Sequence, residues 1–116
     1  MFRWLVVACT AGILWSAAMA EAGSTTGMAS YYKSGKRTAN GEKYNPMGFT
    51  AAHRSLPFGT KVLVTNVKSG KSVIVRINDR GPFIRGRIID LSVGAAKVVG
   101  LTATGVAKVK ITVLGS

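Results

Sequence analysis

The stretch "KVLVTNVKSGKSVIVRINDRGPF", residues 61–83, alternates apolar and polar residues on both sides of a Gly-containing break. Val73, Val75 and Ile77 stand against Ser72, Ile74 and Arg76, the period of a strand with one buried face. "KSGK" at 68–71 then reads as the connection of a β-hairpin. The hairpin ends in an acid set between basic residues, Arg76, Asp79 and Arg80, followed by the Gly81-Pro82 turn. In a chain with 16 Lys plus Arg against four Asp plus Glu, each carboxylate is informative by its rarity.

Working outward, similar short runs appear at 28–32 ("MASYY"), 87–90 ("RIID") and 107–114 ("AKVKITVL"). Only "DLSVGAAKVVG" suggests a helix, with Ser92 as N-cap and Gly100 as its terminator. Many short strands spaced by Gly and Pro turns point to a small β-barrel, whose closure removes exposed edges.

The first 20 residues carry one positive charge, Arg3, then an apolar run from Trp4 to about Trp15, then Ala18-Met19-Ala20. That is the layout of a secretory signal peptide cleaved before Glu21. The apolar run falls short of the roughly 20 residues that span a bilayer. Cleavage at Cys9, as in a lipoprotein, would leave too short an apolar region, so a soluble exported product is expected in the periplasm or cell envelope. Residues 21–27, "EAGSTTG", read as a flexible lead-in, and 28–116 as one domain. Removing Arg3 lowers the formal net charge from +12 to +11. For an exported protein, such a charge suits an anionic envelope polymer better than nucleic acid.

Most catalytic sets are excluded. One His, one Cys within the signal segment and few acids make a zinc site improbable, since zinc usually takes three or four such ligands. "SGKS" at 69–72 lacks the glycine a phosphate-binding loop needs five positions before Gly70, where Thr65 stands. The ionisable residues left are Glu42, His53, Asp79 and Asp90. Asp90, two residues before the helix cap, reads as a structural acid complementing the helix N-terminus. Glu42 follows the Asn40-Gly41 turn and reads as a loop acid. A lone His53 reads as a structural histidine. Asp79 is delivered to a rim by its strand, and ideal alternation puts it on the face opposite Arg76.

At "TANGEKYN" (38–45), "TAAHRSLPFGTKVLVTN" (50–66) and "VRINDRGPFIRGRIIDLS" (75–92) the sequence resembles the rare lipoprotein A family of bacterial septal-ring lytic transglycosylases. The resemblance implies a six-stranded double-psi β-barrel with one short helix, shared with expansins. It implies cleavage of the β-1,4 bond between N-acetylmuramic acid and N-acetylglucosamine in peptidoglycan glycan strands, giving 1,6-anhydro ends, with no cofactor or metal. The family's cleft residues fall on Glu42, His53 and Asp79, and a fourth acidic position falls on Asn45, which can bind a sugar hydroxyl but cannot act as acid or base. On this resemblance Asp79 is expected to be the principal acid/base with His53 hydrogen-bonded beside it, and Glu42 the second carboxylate, either stabilising the oxocarbenium-like charge or exchanging roles with Asp79; Asn45, Arg54 and Arg80 are the expected substrate-binding residues, Arg80 from its place at the turn. The expected molecule is a monomer whose partner is glycan and not nucleic acid. The rival expectation is an expansin-like module that binds glycan without cleaving it.

Overall fold

The computed structural model describes residues 23–35 and 37–115, so the expected signal segment lies outside the described residues. Six strands appear in order: β1 (Ser24–Tyr32), β2 (Thr50–Ala52), β3 (Lys61–Asn66), β4 (Ser72–Asp79), β5 (Arg87–Ser92) and β6 (Ala107–Gly115). Between β5 and β6 lie a helix, α1 (Val93–Val98), and a single 3-10 turn at Leu101–Ala103. The strands close into a barrel in the order β1-β5-β2-β4-β3-β6. Two of its pairs, β1 with β5 and β2 with β4, are parallel, and the others are antiparallel. This is the closed six-stranded, double-psi architecture that the resemblance implies.

Alternation decides which side chains fill the barrel. Val62 and Val64 of β3, Val73, Val75 and Ile77 of β4, Ile89 and Leu91 of β5, and Val109 and Ile111 of β6 form one buried cluster. Ala95, Ala96, Val99 and Leu101 extend it, so α1 and the turn after it complete the same core. The hairpin at 66–71 is built as its sequence suggests. Gly70 takes φ +77, the Asn66 N–H donates to the Lys71 carbonyl, and the Asn66 side chain accepts from the N–H groups of Lys68 and Ser69.

Two expectations are corrected. The lead-in 21–27 is not wholly a tether, because Ser24 to Gly27 already pair with Thr112 to Val109 in the β1–β6 ladder. Small polar residues suit this position because the ladder satisfies their backbone while their side chains need no core. Gly27 has a further reason: a Cβ there would lie 2.6 Å from the Ile88 side chain. The second correction is β2, which the alternation does not mark at all. Three residues are too few to show a period, yet all three are buried.

Ser92 joins these pieces. Fully buried, its hydroxyl donates to the Gly48 carbonyl at 2.6 Å and accepts from the N–H groups of Ala95 and Thr50. It thus caps α1 and fixes the entry to β2 in one group. Gly94, next in line, lies so close to the loop before β2 that a Cβ would sit 2.8 Å from the Met47 carbonyl oxygen. Ser92→Ala is expected to destabilise the fold by about 2–4 kcal/mol, a lost cap plus unsatisfied buried groups; urea denaturation checks it. A loss below about 0.5 kcal/mol would show that the junction is held by other contacts.

Candidate active site

The site begins with a register. Ala52 of β2 is the neighbour of Asp79 on β4 and, on its other side, of Asp90 on β5. Asp90 in turn is paired with Ser30 of β1. Directly paired residues project from the same face, so Asp79, Ala52, Asp90 and Ser30 form one row across four strands. Two strand spacings separate the α-carbons of the two acids, about 10 Å. The residue between them is an alanine, which leaves the space between the carboxyl groups open.

A bulge makes the row possible. Ala51 pairs with Ile77 but Ala52 pairs with Asp79, so Asn78 is the extra residue in β4. Without it Asp79 would continue the inward series Val73, Val75, Ile77. Such a bulge re-aims the following side chain, and here the acid leaves the core series for the cleft. The same shift corrects the expectation from ideal alternation. Arg76 pairs with Thr50 and Asp79 with Ala52, two residues on one side of β2, so Arg76 and Asp79 share a face.

The row floors a cleft of about 380 Å³, walled by Tyr32, Arg87 and the 80–84 segment. Asp79 Oδ1 accepts from the N–H groups of Ala39 and Arg80, both at 2.9 Å, which fixes the carboxylate from two sides. Asp90 Oδ1 accepts from the Ser30 hydroxyl at 3.0 Å. Burial raises the Asp90 pKa above the usual carboxylate value; the charge of Asp79 adds to this, while Ser30 and Arg87 oppose it. The Tyr32 hydroxyl is also buried in this wall, without a hydrogen-bond partner among the described residues. Burial first, then the charge of Asp79, holds its proton on well above the usual range.

Asp90 is therefore where sequence reasoning differs most from the structure. It lies on β5 in the cleft, and the capping of α1 falls to the Ser92 hydroxyl. A signal was available, since Asp90 ends the run "RIID" as Asp79 ends "SVIVRIND". Tyr32 was missed altogether because nothing local distinguishes it from Tyr31.

The other expected residues stand around this cleft in supporting positions. Arg76 grips Glu42 with both terminal nitrogens, at 2.5 and 2.8 Å, and Asn40 donates to the same carboxylate. The Arg76 and then the Asn40 hydrogen bonds hold the Glu42 pKa down to about 2. Glu42 is outside the residues lining the cleft. His53 Nδ1 accepts from the N–H groups of Ser55 and Leu56 at 3.1 Å, which leaves the ring proton on Nε2. Its pKa is lowered by burial and by the charges of Arg80 and Arg54, so the ring is neutral at pH 7. The expected side-chain hydrogen bond from His53 to Asp79 is not formed; the two are joined by the His53 N–H and the Asp79 carbonyl at 3.2 Å. Asn45 accepts from the Met47 N–H in a tight turn before β2 and is outside the cleft lining.

The two arginines expected to bind substrate are occupied by backbone. Arg54 donates to the carbonyls of Pro82, Ile84 and Arg87 at 2.7–3.0 Å. Arg80 donates to the carbonyls of His53 and Leu56 and lies 4.0 Å above the Phe58 ring. Each loop thus carries the arginine that holds the other. A larger cavity of about 760 Å³ lies where the 66–71 hairpin meets residues 99–108, at the opposite end of β4 from Asp79. It has neither an acid nor a histidine in its lining, so the chemistry concentrates in the smaller cleft.

A family model described as lytic transglycolase matches residues 24–111. Over 97 residues the chain is 61% identical to a probable endolytic peptidoglycan transglycosylase RlpA of Nostoc, covering 79% of this chain and 26% of that protein. It is 54% identical over 95 residues to the endolytic peptidoglycan transglycosylase RlpA of Pseudomonas aeruginosa, with 79% and 28% covered. The chain therefore spans just over a quarter of the length of these relatives. Among solved structures, a Streptomyces papain inhibitor superposes with TM-score 0.61 at 24% identity, over 78% of this chain and 93% of that one. An expansin of Clavibacter michiganensis gives 0.63 at 21% identity, over 78% and 50%. At these identities the likeness is one of fold.

Glu42 generates a test of the supporting shell. Its folded pKa, about 2, lies below the ordinary 4.5, so its stabilisation is present above pH 4.5 and is lost as pH falls toward 2. Glu42→Gln is expected to be less stable than wild type at pH 7, with the gap closing below pH 4. Urea titrations across that range measure it, and a gap that persists at pH 2 would assign the loss to packing.

Proposed function

Since the chain belongs to the lytic transglycolase family, we propose that it cleaves the glycan strands of peptidoglycan in the cell envelope, between N-acetylmuramic acid and N-acetylglucosamine, without water. The observation that carries this reading is the pairing of Asp79 and Asp90 with the two sides of one alanine, on the floor of an open cleft. Two carboxyl groups facing one space are what glycosidic bond cleavage through an oxocarbenium-like state requires.

Roles follow from environment. Asp90, whose half-buried carboxyl keeps its proton to higher pH than usual, donates that proton to the glycosidic oxygen as the bond to C1 of the muramic residue breaks. The Asp90 carboxylate then takes the proton of the C6 hydroxyl of the same residue while O6 bonds to C1. The 1,6-anhydro ring closes, Asp90 is reprotonated, and no water is consumed. One group serves as acid and then as base. Asp79, its orientation fixed by the Ala39 and Arg80 N–H groups, faces the developing positive charge. This assignment moves the proton-carrying role from Asp79, where the resemblance alone put it, to Asp90.

Glu42 is held as a carboxylate by Arg76 and cannot supply a proton at any ordinary pH. We assign it a positioning role: it ties the 38–42 turn to β4, and that turn presents the Ala39 N–H to Asp79. His53, neutral and bonded to its own loop, positions the 53–56 segment against the Asp79 backbone.

Incubation with purified glycan strands, followed by mass spectrometry of soluble products, tests the reading. Wild type is expected to release 1,6-anhydro-muramic ends, and Asp90→Asn and Asp79→Asn each to lose about 10²–10⁴-fold in rate. Strong binding with no products from wild type would instead favour the non-catalytic, expansin-like module. Turnover should fall as pH rises through the raised pKa of Asp90, because the donor must be protonated. A rate that rises through the same range would overturn Asp90 as the acid.

Tyr32 supplies a second test. Removing an unpaired buried hydroxyl is neutral or stabilising for folding, whereas the same hydroxyl lies beside both acids. Tyr32→Phe is expected to keep or raise the thermal midpoint while lowering turnover about tenfold. A fall in both would mark Tyr32 as a packing residue.

A further inference from the structure

Phe83 is 79% exposed, the most exposed of the large apolar side chains among the described residues, and it stands in the wall of the acidic cleft beside Ile84, which is 55% exposed. Leaving a phenyl ring in water forgoes roughly 1.5–3 kcal/mol of burial. A mobile loop would fold such a ring inward. This one is held: Arg54 binds the carbonyls on both sides of Phe83, those of Pro82 and Ile84, and also that of Arg87. The Arg87 N–H closes the loop onto the Ile84 carbonyl at 3.1 Å. One side of the ring is supported by Gly81, where a Cβ would lie 3.5 Å from ring carbon Cε2.

Other exposed aromatics differ. Phe58 is covered by the Arg80 guanidinium, and Phe49 is outside the cleft lining. Among the described residues, only at Phe83 does a fixed, open ring adjoin the row of acids.

We propose that Phe83 is a sugar-stacking platform, which takes the apolar C–H face of an N-acetylhexosamine ring next to the cleaved bond, and that Arg54 is the positioning residue that holds it there. The match is between a ligand and a cleft that each carry polar groups beside an apolar surface. A pyranose presents hydroxyl groups around its edge and C–H groups on its face. The cleft lining combines the polar Ser30, Asp79, Asp90 and Arg87 with the apolar Phe83 and Ile84. A rigid aromatic ring binds such a face at small entropic cost. The inference rests on the glycan-cleaving reading for the identity of the sugar, but binding is separable from cleavage.

The test measures the affinity of the protein for purified glycan strands freed of stem peptides, by isothermal titration, for wild type, Phe83→Ala, Phe83→Trp and Arg54→Ala, with phosphatidylglycerol vesicles as a second probe. Phe83→Ala is expected to raise Kd about tenfold with an unchanged thermal midpoint, and Phe83→Trp to stay within about twofold of wild type. Arg54→Ala should weaken binding in the same direction, and combining it with Phe83→Ala should add little, because the clamp acts through the ring. Phe83→Ala with wild-type Kd overturns the platform whatever the turnover, as does a loss confined to vesicle binding. Wild type that binds glycan through Phe83 but yields no anhydro ends supports the platform and sinks the cleavage reading. Wild type with no affinity for glycan sinks both.

Discussion

The pairing of a three-residue strand on both of its edges governs this molecule. Thr50–Ala52 lies parallel to β4 and antiparallel to β5, and without it Asp79 and Asp90 would not be neighbours through a common residue. Its short length is compensated by burial on all sides and by the Ser92 hydroxyl, which fixes its entry. Its composition matters as much as its pairing. A large residue in place of Ala52 would fill the space into which both carboxyl groups project.

The chain's positive charge reads differently once the donors are followed to their acceptors. Arg54 and Arg80 are engaged with main-chain carbonyls and Arg76 with Glu42. These three arginines are thus structural, in the sense that they order the loops around the cleft. Buried or half-buried carbonyls in loops need donors, and a guanidinium can satisfy several at once. Asp79, flanked in sequence by two arginines, is consequently held by main-chain N–H groups and not quenched by either guanidinium. The cationic surface left to attract an anionic polymer is mostly lysine.

How much of this was legible depended on whether the information was local. The β3–β4 hairpin, the N-cap at Ser92 and the inward series Val73, Val75, Ile77 were readable because each is set within a few residues. The start of β1 was not, since its pairing with β6 comes from the far end of the chain and overrides a polar, loop-like composition. β2 was too short to carry a period. The bulge at Asn78 was invisible because it exists only relative to β2, and with it went the true face of Asp79. Asp90 was misread for a related reason: proximity to a cap in sequence outweighed its place at the end of the strand-like run "RIID", and its standing opposite Asp79 across Ala52 exists only in the register. Recognition of the family supplied the topology and pointed to Glu42, His53 and Asp79 together. It did not show that Asp79 lines the cleft while Glu42 and His53 stand outside its lining.

The exchange of arginines between the 53–58 and 80–87 loops has a consequence for how the site can fail. Because Arg54 holds the second loop and Arg80 the first, neither can peel away without releasing its partner's anchor. Fluctuations that open the cleft should therefore involve both loops in one cooperative step, an opening unit of its own within the barrel. The two walls of the cleft would then stay in place together or give way together, with no half-open state between.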